Sequence, residues 1–394
     1  MKPVFSARPA WAEIDLDAIK HNVKQIISLI GKGTEIMAVV KADGYGHGAA
    51  AIARAALAAG ATWLSVAFVE EGVDLRREGI QAPILLLGYT DPAEFQTMVE
   101  FDLIPTVFSL DTALTLSEMA VEKKLKLPVH LKVDTGMSRV GLLPGEALGT
   151  IMQIVELPGL EVEGLLTHLA AAEDEAFSQY TEEQLALFGQ IIDDCRKQGI
   201  DFTYLHTANS AAALSCPAAR FNLVRIGLSL YGHYPSLRQR EPGIQLQPAL
   251  TLKSQVVMVK KLPKGTSISY GCTYRTADDA LIATVPVGYA DGYSRLLSNK
   301  GVVLIRGERA PVVGLICMDH LMIDVTRIPA ARLGDEVVLY GRQGSEEITV
   351  EEVASLIGTV NYELLCAVDK RVSRFYFNNN RLDSVHDFIE DCLI

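Results

Sequence analysis

The sequence contains no C-x-x-C pair. Its six cysteines, at 195, 216, 272, 317, 366 and 392, are widely scattered. That spacing supports neither a zinc site nor a disulfide framework, and it points to a reduced compartment. Long apolar runs are missing as well. The most apolar stretch, residues 49–68, is cut by Arg54 and Gly60, which argues against a membrane span. The opening "MKPVFSARPAWAEIDLD" lacks the apolar segment of a secretory signal, so a cytoplasmic location is expected. No basic run, acidic tail, low-complexity tract or internal repeat occurs. The net charge of −12 speaks against nucleic acid or an anionic membrane as partner. A small anionic ligand stays open, because it senses only local charge. The histidines show no metal-ligand spacing, and no metal is expected.

What is present is a chain of 394 residues, more than one core usually serves, so two domains are expected. Residues 11–16 ("WAEIDL") alternate like a short strand. A helix follows, with Leu16, Ile19, Val23, Ile26, Ile27 and Ile30 at helical spacing. Apolar runs then alternate with helical stretches, beginning near "IMAVVK", "WLSVAF", "ILLLGY", "PTVF", "VHLKVD", "VEGLLTHL", "TYLHTA" and "NLVRIG". Eight strands alternating with helices imply right-handed crossovers and a parallel sheet. Eight such units by residue 226 suggest a closed (β/α)8 TIM-like barrel, with an open doubly wound sheet as the rival. After "PSLRQREPGIQLQPALTLKS" (235–254), short β-branched runs punctuated by Pro and Gly read as a mostly antiparallel β domain. One helix, 349–360, is expected there with Thr349 as its N-cap. The fold class is therefore α/β. Residues 1–246 are expected to form the barrel and 247–394 the C-terminal β domain, the first strand being a candidate for packing on the latter.

The stretch "EIMAVVKADGYGHG" admits two readings. Gly44, Gly46 and Ala49 satisfy the G-x-G-x-x-A variant of the dinucleotide fingerprint. That reading wants an acidic residue about 20 positions on, at the next strand end. Glu70 and Glu71 come late and open a helix, and Lys41 is left without a task. In the other reading Lys41 closes a barrel strand. It is then either an edge residue with its ammonium in water or a buried amine suited to a Schiff base. Barrel function sits where strands end, and Asp134, Thr135, Arg139, His168, His206, Asn209, Ser210, Arg225 and Gly227 all fall there. The loops after strands seven and eight often bind phosphate. Ser210 offers a hydroxyl there, and Gly227 and Leu228 offer backbone N–H groups. Taken singly, each is also explained as an N-cap or a turn residue. His47 reads as a surface or helix-start residue and is assigned nothing.

At "AVVKADGYGHG" the sequence closely resembles the alanine racemases that depend on pyridoxal 5'-phosphate (PLP). Matching stretches follow in order: "VHLKVDTGMSRVG" (129–141), "GLLTHLA" (164–170), "HTANSAA" (206–212), "LVRIGLSLYG" (223–232), "SYGCTY" (269–274), "PVGYADGYSR" (286–295), "VGLICMD" (313–319) and "NYELLC" (361–366). The resemblance covers nearly the whole chain. It implies a barrel plus a β domain, and a head-to-tail homodimer whose active sites are shared between subunits. It implies that Lys41 holds PLP as an aldimine and that Tyr270 of the partner subunit is the second acid–base group. It places Arg225 against the pyridine nitrogen and His168 on that arginine. Tyr45, Ser210, Gly227, Leu228 and Tyr362 resemble the phosphate contacts, with Asn209 beside them. Arg139 and Met318 resemble the groups that meet the substrate carboxylate. Lys132, carbamylated in many members, Asp319 and Tyr289 resemble supporting residues. The sequence departs from the family at Ile226, where many members have proline, and at Leu169, where many have phenylalanine.

The chemistry explains this set. Racemisation removes the Cα proton on one face and returns one on the other, which calls for two groups, Lys41 and Tyr270. A phenol acting as base near pH 7 needs its pKa lowered by roughly three units, about 4 kcal/mol. Arg225 and His168 are candidate cations for that purpose. An arginine against the pyridine nitrogen can only donate, which leaves that nitrogen unprotonated and disfavours transamination. The function implied is interconversion of L- and D-alanine, feeding peptidoglycan synthesis. Racemisation of serine or of a broader set of amino acids, a non-catalytic PLP-binding barrel, and an amino-acid decarboxylase are the alternatives.

Overall fold

The computed structural model describes residues 8–236 and 244–387. Residues 237–243, within the stretch where the sequence changes character, lie outside the described residues. The chain divides into two compact units. One comprises Ala18–Gly44 and Ala49–Gln247; the other comprises the described residues up to Asp17, Tyr45–Gly48, and the chain from Pro248 onward.

In the first unit eight strands form one parallel sheet: β2 (Glu35–Val39), β3 (Trp63–Val66), β4 (Ile84–Leu86), β5 (Ile104–Val107), β6 (Leu127–Lys132), β7 (Leu160–Leu166), β8 (Tyr204–His206) and β9 (Leu223–Ile226). Each pairs with the next in sequence from β2 to β8. The first of them, β2, also pairs with the last: Met37 sits opposite both Trp63 of β3 and Arg225 of β9. That pairing excludes an open doubly wound sheet. The remaining seam between β8 and β9 is bridged by Arg225 N donating to the Ala208 carbonyl at 3.0 Å. The Asn222 side chain adds two bonds there, accepting from Leu205 N at 2.8 Å and donating to Thr203 O at 2.6 Å. The short strands are nearly all apolar because helices cover their outer face and the barrel interior covers the other. The barrel floor is Met37, Trp63, Leu85, Ile104 and Leu223, with Leu87 and Tyr204 packed against them. Burying each large side chain there contributes about 1.5–3 kcal/mol. The helix Leu16–Ile30 buries Ile19, Val23, Ile26 and Ile30, while Ile27, at the margin of the same stripe, stays exposed.

The second unit is mostly antiparallel. Its largest sheet takes in β1 (Ala10–Asp15), which lies antiparallel to Leu250–Gln255 and parallel to Ser373–Asn378. A three-stranded antiparallel sheet joins Met258–Leu262, Ala280–Val285 and Leu321–Asp324. The expected helix is Val350–Ile357, with the Thr349 hydroxyl accepting from Glu352 N at 3.1 Å. It stops short of residue 360 because Gly358 turns left-handed, at φ 73°. Among the described residues no helix is long and apolar enough to cross a membrane.

Candidate active site

Lys41 follows β2, and the four residues after it turn the wrong way for L-amino acids. Ala42, Asp43, Gly44 and Tyr45 have φ of 51°, 51°, 59° and 52°. This is one turn of left-handed helix. It costs about 1–2 kcal/mol at each of the three residues that carry a Cβ. Specific bonds hold it. Gly44 N donates to Val40 O at 2.9 Å, Ala42 N donates to Glu71 Oε1 at 2.7 Å, and Asp43 Oδ1 accepts from Ala49 N at 2.9 Å. The last bond caps the helix Ala49–Ala58 from within the chain and takes up a helix-start amide that a pyrophosphate needs. The dinucleotide reading fails here for that reason. The later glycines answer to packing: a Cβ on Gly46 would lie 2.2 Å from Leu365 O, and one on Gly48 1.8 Å from the Tyr376 hydroxyl. His47 is fully buried, with Nδ1 2.9 Å from Tyr45 O, and is not the surface residue its neighbours suggest.

Inside the barrel stands a column of rings and charge. Arg225 is buried, and its two terminal nitrogens make five contacts. Nη1 donates to His206 Nδ1 and His206 O, both at 2.9 Å. Nη2 donates to Thr167 O and Thr207 O, both at 2.8 Å, and lies 3.3 Å from His168 Nδ1. Every acceptor is neutral. No carboxylate pairs with Arg225 among the described residues, and its Nε donates to none of them. Burial, with Arg139 adding to it, lowers its pKa to about 9, so it keeps its proton at neutral pH.

Since Arg225 can only donate, His206 Nδ1 is an acceptor and its proton sits on Nε2. That proton reaches His130 Nδ1 at 2.9 Å. His130 in turn stacks on Tyr204, 5.8 Å between centroids, and meets Trp63 at 5.3 Å. All three histidines beside this column are held neutral. Burial and then Arg225 push His130 down to about 3 and His206 well below its usual range. His168 is lowered by burial, then by Arg225, Arg139, Lys132 and Lys41. His168 is therefore no source of positive charge, contrary to the expectation above. Gly164 makes room for the column. A Cβ there would lie 2.4 Å from His130 Nδ1, and the β6–β7 register shifts between Val129 and His130.

Lys132, one turn of the pleat beyond His130, is buried among cations. Burial lowers its pKa to about 8, helped by Arg225, Arg139 and Lys41 and opposed by Asp134. Its ammonium makes no hydrogen bond among the described residues. Asp134 is engaged elsewhere, accepting from Gly136 N and Ser138 N at 3.0 and 2.9 Å. Arg139 is exposed on the same loop.

Beyond β8 and β9 a second feature forms. The Asn209 side chain caps Ser210–Ser215 by accepting from Ala212 N at 3.0 Å. The buried Ser210 hydroxyl accepts from Gly227 N at 3.0 Å and Ser229 N at 3.3 Å. The amide of Leu228, first in the 3-10 turn Leu228–Tyr231, has no acceptor within that turn. Amides and a hydroxyl thus converge beyond β8 and β9. Ile226 and Leu169 are both buried, so the two departures from the family sit in apolar packing.

In the other unit, Tyr45 and Tyr362 lie with ring centroids 6.0 Å apart. Tyr270 is 73% exposed on a loop where Ser269 has φ 65°. Met318 is also exposed. Its segment is fixed against Tyr289: Tyr289 N donates to Cys317 O and Ala290 N to Met318 O, both at 3.1 Å. A side chain at Gly288 would collide with both carbonyls. Asp319 pairs with Arg371 at 2.8 Å, and Arg371 also meets the buried Asp291 at 2.8 Å.

Three residues here carry no role in the sequence reading: His130, His206 and Glu71. His130 had a signal, since it lies two positions before Lys132 in one strand and so shares its inward face. His206 shows only as one polar strand end among several. Glu71 shows only as a helix-start acid.

Comparison with known proteins points to one family. The family model for the alanine racemase N-terminal domain matches residues 14–235, and that for the C-terminal domain matches 249–376. An alanine racemase of Desulforamulus reducens is 49% identical over 369 residues, 93% of this chain and 99% of the relative. The structure of the alanine racemase from Clostridium difficile 630 superposes with a TM-score of 0.93 at 39% identity, covering 98% of this chain and all of that one. The alanine racemase of Bacillus anthracis with bound L-Ala-P gives 0.91 at 40% identity, over 99% of this chain and all of that one.

Proposed function

The chain belongs to the alanine racemase family, and from that premise we propose that it interconverts L- and D-alanine with PLP held at Lys41. The observation that carries the cofactor is Arg225. It is a buried guanidinium surrounded by neutral acceptors, and among the described residues its Nε is unclaimed and no carboxylate neutralises it. Such a group suits a neutral acceptor such as an unprotonated pyridine nitrogen. The Leu228 amide and the proton of the Ser210 hydroxyl suit a phosphate, with the Gly227 amide orienting that hydroxyl. The residues fit the group.

When bound, PLP supplies the electron-withdrawing system that acidifies the Cα–H of alanine. Lys41 serves as proton acceptor or donor on one face of Cα. Tyr270, from the second copy of a homodimer, serves the opposite face. The exposure of Tyr270 and Met318 on one chain supports a role toward a partner. Arg225 donates to the pyridine nitrogen and keeps it unprotonated. Arg139 and the Met318 backbone N–H bind the carboxylate, with Lys132, Asp319 and Tyr289 in support. The resemblance gives Tyr45 and Tyr362, with Asn209, to the phosphate end. In this reading residues 1–246 bind the cofactor, residues 247–394 supply the second base, the enzyme is cytoplasmic, and D-alanine goes to peptidoglycan.

The test is borohydride reduction of the purified protein followed by peptide mapping. A pyridoxyl label on Lys41 is expected; a label on any other lysine overturns the assignment. Turnover of alanine should exceed that of serine and lysine, and no amine should be released.

A further inference from the structure

Glu71 lies at the third position of the helix Val69–Arg77. A glutamate there ordinarily serves its own helix start. One oxygen does so: Oε2 accepts from Phe68 N at 3.3 Å and from Ala67 N at 2.7 Å. The other leaves the helix. Oε1 reaches the residue directly after Lys41 and accepts from Ala42 N at 2.7 Å. Ala42 is also the first residue of the left-handed turn, at φ 51°. The carboxylate therefore ties the ends of two adjacent barrel strands, β2 and β3. Those strands are already joined by Val40 N donating to Ser65 O at 2.9 Å. Helix capping accounts for Oε2 and leaves Oε1 unexplained.

We propose that Glu71 is a positioning residue for Lys41: its carboxylate pins the strained turn from which the lysine side chain departs, and so sets where the amine stands in the barrel mouth. The inference rests on the reading that Lys41 carries PLP. A turn made of residues disfavoured in the left-handed region persists only where surrounding bonds over-determine it. Glu71 supplies the one charge-assisted bond at its first residue.

The experiment uses the full-length protein, stripped of cofactor and reconstituted with PLP. It follows the rate at which Lys41 gains a borohydride-reducible pyridoxyl label, together with the thermal midpoint. Glu71→Ala should slow labelling roughly tenfold or more, as for other displaced reacting groups. Ser109→Ala removes an ordinary helix cap, the acceptor for Thr112 N, and should cost stability while labelling at the wild-type rate. Ala42→Gly in the Glu71→Ala background should recover part of the rate, because glycine adopts the turn without strain. Should Glu71→Ala not fold, Glu71→Gln carries the test, with a smaller slowing expected since one acceptor oxygen remains. Labelling of the Glu71 variants at the wild-type rate, or equal slowing by Ser109→Ala, overturns the proposal while the proposed function stands. A wild-type protein that never labels at Lys41 overturns both.

Discussion

The Arg225 guanidinium donates to His206 Nδ1 at 2.9 Å, and the proton on the far side of that imidazole is handed to His130. A neutral ring thus occupies the place where a carboxylate would ordinarily meet a buried arginine. The consequence is a cation inside the barrel that no carboxylate among the described residues compensates, and several of the expected properties of this protein derive from it.

Replacing Arg225 by Glu reverses that charge. A carboxylate at this position favours a protonated pyridine and a stronger electron sink, so return of the proton to Cα loses its advantage. Pyruvate released per D-alanine formed should rise in Arg225→Glu. An unchanged ratio would count against the role given to Arg225.

Tyr270→Phe removes one hydroxyl from an exposed side chain. Racemisation should fall by about 10²-fold or more, the usual contribution of a positioned acid–base group. PLP content and the Lys41 label should persist. Full activity in this variant would favour a mechanism without the phenol; no activity in the wild type would favour a non-catalytic carrier.

Gly164→Ala should destabilise the barrel. The new methyl meets the His130 ring in a floor with no slack, and overpacking of this kind costs about 1–3 kcal/mol. The denaturant midpoint reports it. Displacing His130 also loosens His206 and Arg225, so PLP affinity should drop together with stability.

Acid should unfold the protein through its buried rings. His130, His168 and His206 have folded pKa values below that of an unfolded histidine. Between the two values the unfolded chain binds more protons, so stability is lost as pH falls below about 6.5. Each ring contributes up to about 1.4 kcal/mol per pH unit. For His130 the loss extends down to about 3. Denaturant titrations from neutral pH to pH 4.5 should show this fall, and His130→Asn should flatten it by the slope of one proton.

Lys132 should react with carbon dioxide. Burial and three cations lower its pKa to about 8, which raises its neutral, nucleophilic fraction, and a carbamate there converts one of four crowded positive charges into a negative one. Native mass spectrometry should find the mass of one carbon dioxide on the peptide bearing Lys132. Activity should fall in bicarbonate-free buffer and return on adding bicarbonate; Lys132→Ala should abolish that dependence.

Much of this was legible in advance. Strand–helix alternation implies a parallel sheet covered on both faces; its closure into a barrel was decided by the pairing of β2 with both β3 and β9. The order of short motifs around Lys41, Arg225 and Tyr270 marked the family. Contacts between residues far apart in sequence were not legible. His47 looked exposed because its neighbours are glycines, yet it is buried. His168 looked like a cation, yet burial, and then four positive groups around it, keep it neutral.

The amino-acid order alone determined the periodicity of the elements and the types of side chain at the strand ends, since both are local properties of spacing and composition. Tertiary structure alone decided the charge state of each ring and amine, and the hand of the turn after Lys41. Ionisation depends on what lies across the barrel, and a left-handed backbone survives only where distant acceptors such as Glu71 hold it.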